Sequence, residues 1–273
     1  MSQRTGERVV PRELADWLLA RGRHWVTTVE AADLLGIPQV QVSPTLARWI
    51  ERGLLFSPTK GAYVPIPPQY RSWGAVPASE FIDSMMNHLG HPYYVCLLSA
   101  AEVHGFAHQR PQAFQVMTSA RLRDRSFGRV HLSFVSSVAI GERDTVLRNT
   151  PTGVMRVSSL ETTVMDIVWM PLRSGGLSNV ATVISEMLDE NVINPEALTR
   201  VARQYPRAVQ QRVGWIVEHL AQTASPEFRL DELADAPDRG RLRAVSLDPA
   251  RAPPGEIDER WMIDVNVVVE PDA

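Results

Sequence analysis

The sequence predicts an α+β fold in which a small helical N-terminal part precedes a larger body of mixed helices and strands. A length of 273 residues is enough for about two domains. Apolar residues recur three times at helical spacing before residue 53, and two short extended runs follow. Beyond residue 73, helical segments alternate with segments of strand character, and there is no internal repeat.

The first two predicted helices are short and have recognisable ends. The first covers residues 11–21, where apolar side chains recur at helical spacing, and Gly22 follows as its C-cap. The second covers residues 28–35, with threonines before it and Gly36 at its end. A turn of about three residues then leads into a third helix.

The start of the third helix depends on Pro44. Proline is tolerated in the first turn of a helix and disfavoured further inside. We therefore expect Ser43 to be the cap and Pro44 the first helical residue, which leaves Gln39 and Gln41 in the preceding turn. The alternative is a kinked helix that begins near Pro38.

Two extended runs, residues 54–56 and 62–64, follow the third helix and flank a turn. Three short helices and a hairpin are the plan of a winged helix-turn-helix. The proline-rich segment 65–77 is typical of a linker. We expect a winged helix-turn-helix DNA-binding domain at residues 1–72 and a mixed α/β domain at residues 73–273.

Candidate DNA-binding residues lie on the third helix and at the hairpin tip. In a helix-turn-helix, the second helix enters the major groove, where glutamine pairs with adenine and arginine with guanine. The predicted contacts from the helix and its turn are Gln39, Gln41, Ser43, Thr45, Arg48 and Arg52. Arg48 is the strongest base-reading candidate, and Thr59 and Lys60 are predicted to meet the phosphate backbone. The alternative is a winged helix that contacts protein, with these side chains as solvated surface.

A second arginine-rich segment follows in the larger domain, and Asp124 is its only acidic residue. Its basic residues are Arg110, Arg121, Arg123, Arg125 and Arg129. Alternate residues of an extended segment share a face, so Arg121, Arg123 and Arg125 are candidates to grip a phosphate backbone or an acidic partner together. A solvated β-turn is the alternative.

The charge distribution favours a polyanionic partner for the N-terminal part. Residues 1–73 hold 9 basic and 6 acidic groups, whereas residues 74–273 hold 19 and 25. Cys96 is the only cysteine, which excludes an internal disulfide and a cysteine metal cluster. The sequence has no apolar run long enough for a bilayer and no secretory signal, so we expect a cytoplasmic bacterial protein without a membrane partner.

Catalytic motifs are lacking in the sequence. It contains no GxSxG elbow, no phosphate loop ending in GK[ST], no GxGxxG and no cysteine pair. A nuclease that needs a lysine has only Lys60, in the hairpin. The histidine spacings 88–91 and 104–108 do not favour a metal site, because Gly105 ends the helix between the second pair. We predict no enzymatic activity, no cofactor and no metal.

Several polar residues of the larger domain have simple structural explanations. Asp166 lies five positions from Glu161 on a largely apolar helix, so the two carboxylates do not share a face. We expect Ser158 or Ser159 to cap that helix and Asp166 to make a satisfied polar contact. His104 is expected in the last turn of its helix, or packed against neighbouring residues.

The order of four segments carries a family resemblance. They are TTVEAADLLGIPQVQVSPTLARWIERGLL, GAYV, YYVCLLSAAEVHGF, and RVSSLETTVMDIVWMP with the glycine pair at 175–176. Over most of residues 10–190 the chain resembles the AbiEi antitoxins of abortive-infection, or type IV, toxin–antitoxin systems. The resemblance implies that the winged helix binds operator DNA and represses its own operon, while the C-terminal domain counteracts a nucleotidyltransferase-like toxin. The chain departs from the family pattern at Pro44, where a helix former is expected.

Two other functions stay open. A one-component regulator, whose C-terminal domain senses a small molecule, predicts a deep apolar pocket in that domain. A nucleic-acid-processing enzyme predicts carboxylates that converge in one cleft. Nothing in the sequence resembles a dimerisation coiled coil, so two monomers on a DNA repeat and a stable dimer are equally compatible with it.

Overall fold

The computed structural model describes residues 8–107, 111–224, 227–235, 243–251 and 255–272. The helices are α1 Leu14–Ala20, α2 Thr28–Leu35, α3 Gln39–Glu51, α4 Ile82–Leu89, α5 Leu97–His104, α6 Leu160–Trp169, α7 Leu177–Asp189, α8 Pro195–Ala202, α9 Arg207–Ala224 and α10 Asp231–Ala234. The strands are β1 Val26–Thr27, β2 Leu55–Phe56, β3 Ala62–Pro65, β4 Tyr93–Val95, β5 Phe114–Thr118, β6 Arg125–Phe127, β7 Val130–Ser136, β8 Thr145–Thr150, β9 Gly153–Ser158, β10 Val245–Ser246, β11 Glu256–Asp258 and β12 Ile263–Val265. This content confirms the predicted mixed α+β class.

The chain forms two compact units whose sequences interleave. The first unit comprises Met1–Tyr93, Gln112–Ser137 and Leu147–Arg156. The second unit comprises Tyr94–Pro111, Val138–Val146 and Val157–Ala273. The domain boundary expected near residue 72 stays a prediction.

The N-terminal part of the first unit is built around one hydrophobic cluster. Helices α1, α2 and α3 contribute to this cluster together with an antiparallel sheet of order β1-β3-β2. In that sheet, Val26 pairs with Tyr63, and Phe56 pairs with Val64. Leucines such as Leu18 are fully buried in the cluster, and each such burial stabilises the fold by about 1.5–3 kcal/mol.

Helix α2 has the predicted bounds, and side-chain chemistry explains both of its ends. The Thr27 hydroxyl accepts a hydrogen bond from the Glu30 N–H, and the Glu30 carboxylate accepts one from the Thr27 N–H at 2.8 Å. These two bonds form a capping box. At the other end, Gly36 adopts a left-handed conformation with φ 65°, which glycine reaches without steric cost.

Helix α3 begins at Gln39, so the prediction that Ser43 caps it is wrong. The structure adopts the alternative start beside Pro38, which places Pro44 inside the helix. A proline at this position removes the bond that residue 44 donates to the Val40 carbonyl. That carbonyl belongs to the first turn, and Val40 is 81% exposed, so water can take the place of the missing donor.

A six-stranded sheet has the order β6-β7-β5-β4-β9-β8. Strands β5 and β7 pair in parallel, β6 pairs antiparallel with β7, and β4 pairs in parallel with β9. Gly128, between β6 and β7, approaches the chain at Trp73 so closely that a Cβ atom there would clash with the Trp73 carbonyl. Only glycine therefore fits at this turn.

Helix α6 lies at the centre of the second unit. Helices α5, α7, α8 and α9 each pack against it, and every residue from Thr162 to Val168 is buried. Ser159 is its N-cap and accepts a hydrogen bond from the Thr162 N–H at 3.1 Å, which confirms one of the two predicted caps. A small sheet of order β10-β12-β11 lies near the end of the chain. Of the helices described, none has the length and apolar character needed to cross a bilayer.

Candidate nucleic-acid interface

Helices α2 and α3 are joined by three residues, Gly36, Ile37 and Pro38. The Ile37 N–H donates to the Ala32 carbonyl at 3.1 Å, which closes the end of α2, and the left-handed Gly36 redirects the chain. Pro38 then precedes α3 in an extended conformation. The short connection keeps α3 packed against α2, and the side of α3 that faces away from the cluster is exposed.

One side of α3 is buried, and most of the predicted contact residues lie beside it. Val42 and Leu46 are fully buried in the hydrophobic cluster. At about 100° per residue, four of the predicted residues fall within roughly 60° of one another around the helix axis. These residues, which we call the polar stripe, are Gln41, Thr45, Arg48 and Arg52.

The other two predicted residues of α3 are exposed on a different flank. Gln39 and Ser43 lie on the opposite side of the buried face from the polar stripe. Within the stripe, Gln41, Arg48 and Arg52 are exposed, and Thr45 is half-buried. The early start of α3 therefore divides the predicted contacts into a group of four and a separate pair.

The two arginines of the polar stripe are available to a ligand. Arg48 and Arg52 have their guanidinium carbons 6.0 Å and 5.1 Å from the centre of the Trp49 ring. Across the described residues, neither guanidinium forms an ion pair or a hydrogen bond. Two exposed cations held near one aromatic ring are suited to phosphate oxygens or guanine edges.

The turn between β2 and β3, residues 57–61, is braced by residues distant in sequence. The Arg125 guanidinium donates to the Pro58 carbonyl at 2.6 Å, and the His88 ring nitrogen lies 3.1 Å from the Lys60 carbonyl oxygen. Burial lowers the pKa of Arg125. Lys60 is exposed, whereas Thr59 is only 7% exposed and has no accessible side chain to offer a phosphate.

These two bonds have no local signal in the sequence, because they span 28 and 67 positions. The sequence indicates His88 only as half of a histidine pair, and Arg125 only as a candidate contact to phosphate or to an acidic partner. In the structure both side chains fix the shape of the hairpin turn.

The second arginine-rich segment contains both engaged and exposed side chains. Strand β6 begins at Arg125, so Arg121 and Arg123 precede the strand and are exposed, as is Arg129. Asp124 accepts bonds from the Phe134 N–H and from a serine hydroxyl of β7, and among the described residues it forms no ion pair with an arginine. Arg110 lies outside the described residues. Phosphate contacts from Arg121, Arg123 and Arg129 stay a prediction.

A buried polar cluster occupies the core of the second unit. Asp166 is fully buried on α6, and its carboxylate accepts a hydrogen bond from the Tyr205 hydroxyl at 2.7 Å. Burial raises the pKa of Asp166 to about 7, although the Tyr205 bond and the Arg143 charge oppose this shift. The Arg143 guanidinium lies 3.5 Å from the centre of the Tyr205 ring and donates to the Gln204 carbonyl. The expected polar contact of Asp166 is present at Oδ1, whereas the buried Oδ2 has no hydrogen-bond partner among the described residues.

His104 lies at the end of α5, where the sequence offered a histidine pair with metal-ligand spacing. Helix α5 ends at His104, and Gly105 caps it in the left-handed region at φ 94°, as predicted. The His104 ring nitrogen lies 2.8 Å from the Ser158 carbonyl oxygen, so the ring is packed. No set of three or more histidine, cysteine or acidic side chains in the described ranges is arranged to hold a metal ion, and His108 lies outside these ranges.

The second unit also contains a cavity of about 630 Å³. Its aromatic walls come from Trp215, Phe228 and Trp261, and the Trp215 ring stacks on His219 at 4.6 Å. Glu218 lines the cavity as well, but it is bound through two bonds of 2.8 Å to Arg260. The aromatic walls of the cavity agree with the deep apolar pocket predicted for a small-molecule sensor, whereas its charged residues do not.

One family model and one solved structure are similar to parts or all of this chain. Residues 93–219 match the family model of the AbiEi antitoxin C-terminal domain. The chain is similar to the crystal structure of the RV2827C protein from Mycobacterium tuberculosis, with a TM-score of 0.65 and 14% identity over 96% of this chain and 94% of that chain. At that identity the similarity shows a shared fold. No protein of curated function matches the sequence.

Proposed function

We propose that this chain, whose residues 93–219 match the family model of the AbiEi antitoxin C-terminal domain, is a DNA-binding autorepressor and antitoxin. The family match confirms the resemblance predicted from the sequence and supports, in general terms, a role as antitoxin or transcriptional regulator. The helices of the N-terminal part, α1 to α3, precede the matched range. Their function is therefore argued from their own geometry.

The N-terminal part acts as a winged helix-turn-helix. Its order of elements supports this assignment: α2 and α3 are joined by three residues, and the hairpin of β2 and β3 follows α3 directly. In such a domain α3 is the recognition helix that enters the major groove, and the hairpin turn is the wing. Lys60, exposed on a braced turn, is placed to neutralise a phosphate.

The observation that carries the DNA-binding proposal is the polar stripe of α3. A solvated helix surface commonly pairs its charges along the helix, and here Arg48 and Arg52 have no such partner in the described structure. Gln41 lies beside them, and glutamine and arginine are the side chains that read adenine and guanine in the major groove. We expect Arg48 to read a guanine and Gln41 an adenine.

The antitoxin part of the proposal rests on the family. An antitoxin implies a toxin partner, and AbiEi antitoxins are not typically enzymes. We propose that the C-terminal domain counteracts a nucleotidyltransferase-like toxin encoded in the same operon.

The first unit also has an exposed basic segment, formed by Arg121, Arg123 and Arg129, that is suited to extra phosphate contacts.

A second candidate function is suggested by the cavity of the second unit. Its volume of about 630 Å³ lies within the range of small-molecule sites, and aromatic walls suit a planar ligand. In this alternative, a ligand bound beside Trp215 and Trp261 controls release of the chain from DNA. A compound that raises the Tm of the full chain and releases it from its DNA would favour the sensor. Protection against a toxin, with no such compound, would favour the antitoxin.

The DNA-binding proposal is tested by titrating the full chain against two duplexes, its own upstream region and a scrambled sequence, over a series of salt concentrations. We expect selective binding to the upstream duplex, with log K falling by about 0.9 per neutralised phosphate for each unit of log salt. Failure to bind either duplex at low salt would mean that the N-terminal part contacts protein instead.

The antitoxin proposal is tested by co-expression with the toxin of the operon. The full chain should restore growth, and Arg48→Ala should restore it equally well, because neutralisation is assigned to the C-terminal domain. If growth stays arrested with a well-expressed wild-type chain, the antitoxin assignment is wrong. The toxin is expressed from an unrelated promoter, so that the chain does not rescue growth by repressing transcription of the toxin gene. Arg48→Ala, which we expect to impair DNA binding, is the control for this effect.

A further inference from the structure

The outermost side of α3 carries apolar side chains where a surface helix normally carries charge. Three residues lie within roughly 60° of one another on the side opposite Val42 and Leu46. These residues, which we call the apolar strip, are Val40, Pro44 and Ala47. All three are exposed, and Val40 is 81% exposed. Glu51 continues the same side at the C-terminal end of the helix.

The apolar strip runs beside the polar stripe. Gln41 and Arg48 lie next to it around the helix, so apolar and hydrogen-bonding side chains lie side by side on one exposed surface. The floor of the major groove has the same mixture, because the C5-methyl group of thymine projects between the polar edges of purines. A thymine methyl is the apolar group that a recognition helix meets in DNA.

The strip is too small to be a protein interface. A stable interface buries about 800 Å² on each partner, which three small side chains cannot supply. The neighbouring cations, Arg48 and Arg52, have no carboxylate partner in the described structure, and two free positive charges suit a polyanion. Both the size of the strip and the adjacent charge therefore favour DNA as its occupant.

The strip residues are also stiff. Valine has one strongly preferred rotamer in a helix, and proline and alanine have almost no side-chain freedom to lose. Their position relative to the backbone is fixed before any ligand binds, so contact with a methyl group costs little conformational entropy. Pro44 removes one helical hydrogen bond, and its rigid ring forms part of this contact surface.

We infer that Val40 and Ala47, with Pro44 between them, pack against thymine C5-methyl groups in the major groove, an assignment that rests on the proposed function. The site of this chain then contains T·A pairs next to the purines read by Gln41 and Arg48. Val40 is a specificity-determining residue that distinguishes thymine from cytosine by an apolar contact.

The test replaces thymine by uracil, which removes only the C5-methyl group. The full chain is titrated against its upstream duplex made with thymine or with uracil, and against a scrambled duplex. We expect about fourfold weaker binding for each methyl contact removed, which corresponds to about 0.8 kcal/mol. In Val40→Ala the preference for thymine should shrink by about that factor. Val138→Ala, which alters a valine that is 100% exposed in the second unit, is the matched control and should keep the wild-type preference.

Each of the remaining outcomes contradicts either the methyl contact or the proposed function. Equal affinity of the wild type for the thymine and uracil duplexes, with selectivity over the scrambled duplex, would overturn the methyl contact and leave the proposed function intact. A thymine preference that persists unchanged in Val40→Ala would assign that preference to DNA shape and also overturn the inference. Equal binding to the upstream and scrambled duplexes would overturn the proposed function itself.

Discussion

Arg48 and Arg143 carry the same guanidinium group in opposite surroundings. Arg48 is exposed on α3 and has no ion pair or hydrogen bond among the described residues. Arg143 is 7% exposed, bonds to the Gln204 carbonyl and lies over the ring of Tyr205. The first group is free to meet a ligand, whereas the second is already committed to the core of its own unit.

The role of an arginine therefore depends on its contacts in the folded chain and not on its position in a basic segment of the sequence. Arg125 illustrates the point, because it belongs to an arginine-rich segment and yet binds the Pro58 carbonyl. Buried and engaged arginines should control stability, and exposed unpaired ones should control binding. The following predictions test that division.

The largest expected effect is on stability. Arg143→Ala removes a buried cation and its bond to the Gln204 carbonyl, and we expect the free energy of unfolding to fall by about 3–5 kcal/mol. Arg200→Ala is the matched control, since Arg200 is paired with Asp144 at 3.2 Å but is exposed, and should cost under about 1 kcal/mol. Urea denaturation of the full chain measures both. Similar losses in the two variants would show that burial does not separate these arginines.

A second effect is on the pH dependence of stability. The pKa of Asp166 is raised by burial to about 7, above its ordinary value of 3.8, so the folded state binds a proton that the unfolded state releases. The stability that this proton contributes is complete below about pH 4 and is lost as the pH rises through about 7. We expect Asp166→Asn to remove a slope of up to about 1.4 kcal/mol per pH unit between these values. Identical slopes in wild type and variant, measured by urea denaturation from pH 5 to 8, would contradict the assignment.

A smaller effect separates contact from positioning at the hairpin turn. Lys60→Ala should weaken binding to all duplexes alike and reduce the salt slope by about 0.9, because one phosphate contact is lost. Arg125→Ala should weaken binding without changing the salt slope, since its guanidinium holds the Pro58 carbonyl. Salt titrations with the upstream duplex distinguish the two. A change of slope in Arg125→Ala would make it a phosphate contact after all.

The sequence predicted those features that depend on neighbouring residues. The bounds of α2 followed from Thr27 and Gly36, and the end of α5 followed from Gly105, because caps act within one helical turn. The predicted start of α3 is wrong because the burial of Val42 in the hydrophobic cluster outweighs the local cost of Pro44 inside the helix. Propensity is a weak guide where tertiary burial opposes it.

Features that join distant segments were not predictable in this way. Tyr93–Val95 forms strand β4, and its place in the sheet depends on pairing with β9, which lies about 60 positions further along the chain. The partner of Asp166 is Tyr205, 39 positions away, and no spacing rule connects the two. The sequence predicted the residues of the polar stripe as contacts. It did not predict that they lie on a different side of α3 from Gln39 and Ser43, because this depends on where the helix starts.

Base reading by Arg48 in the DNA upstream of its own gene is tested by comparing the wild type with a single substitution. The full wild-type chain and Arg48→Ala are titrated against the upstream and scrambled duplexes at one salt concentration, with Arg200→Ala as the control. We predict a loss of about 1–3 kcal/mol on the upstream duplex, or roughly 5- to 150-fold, and a much smaller loss on the scrambled one. Equal losses on both duplexes, or no loss on either, would contradict base reading by Arg48.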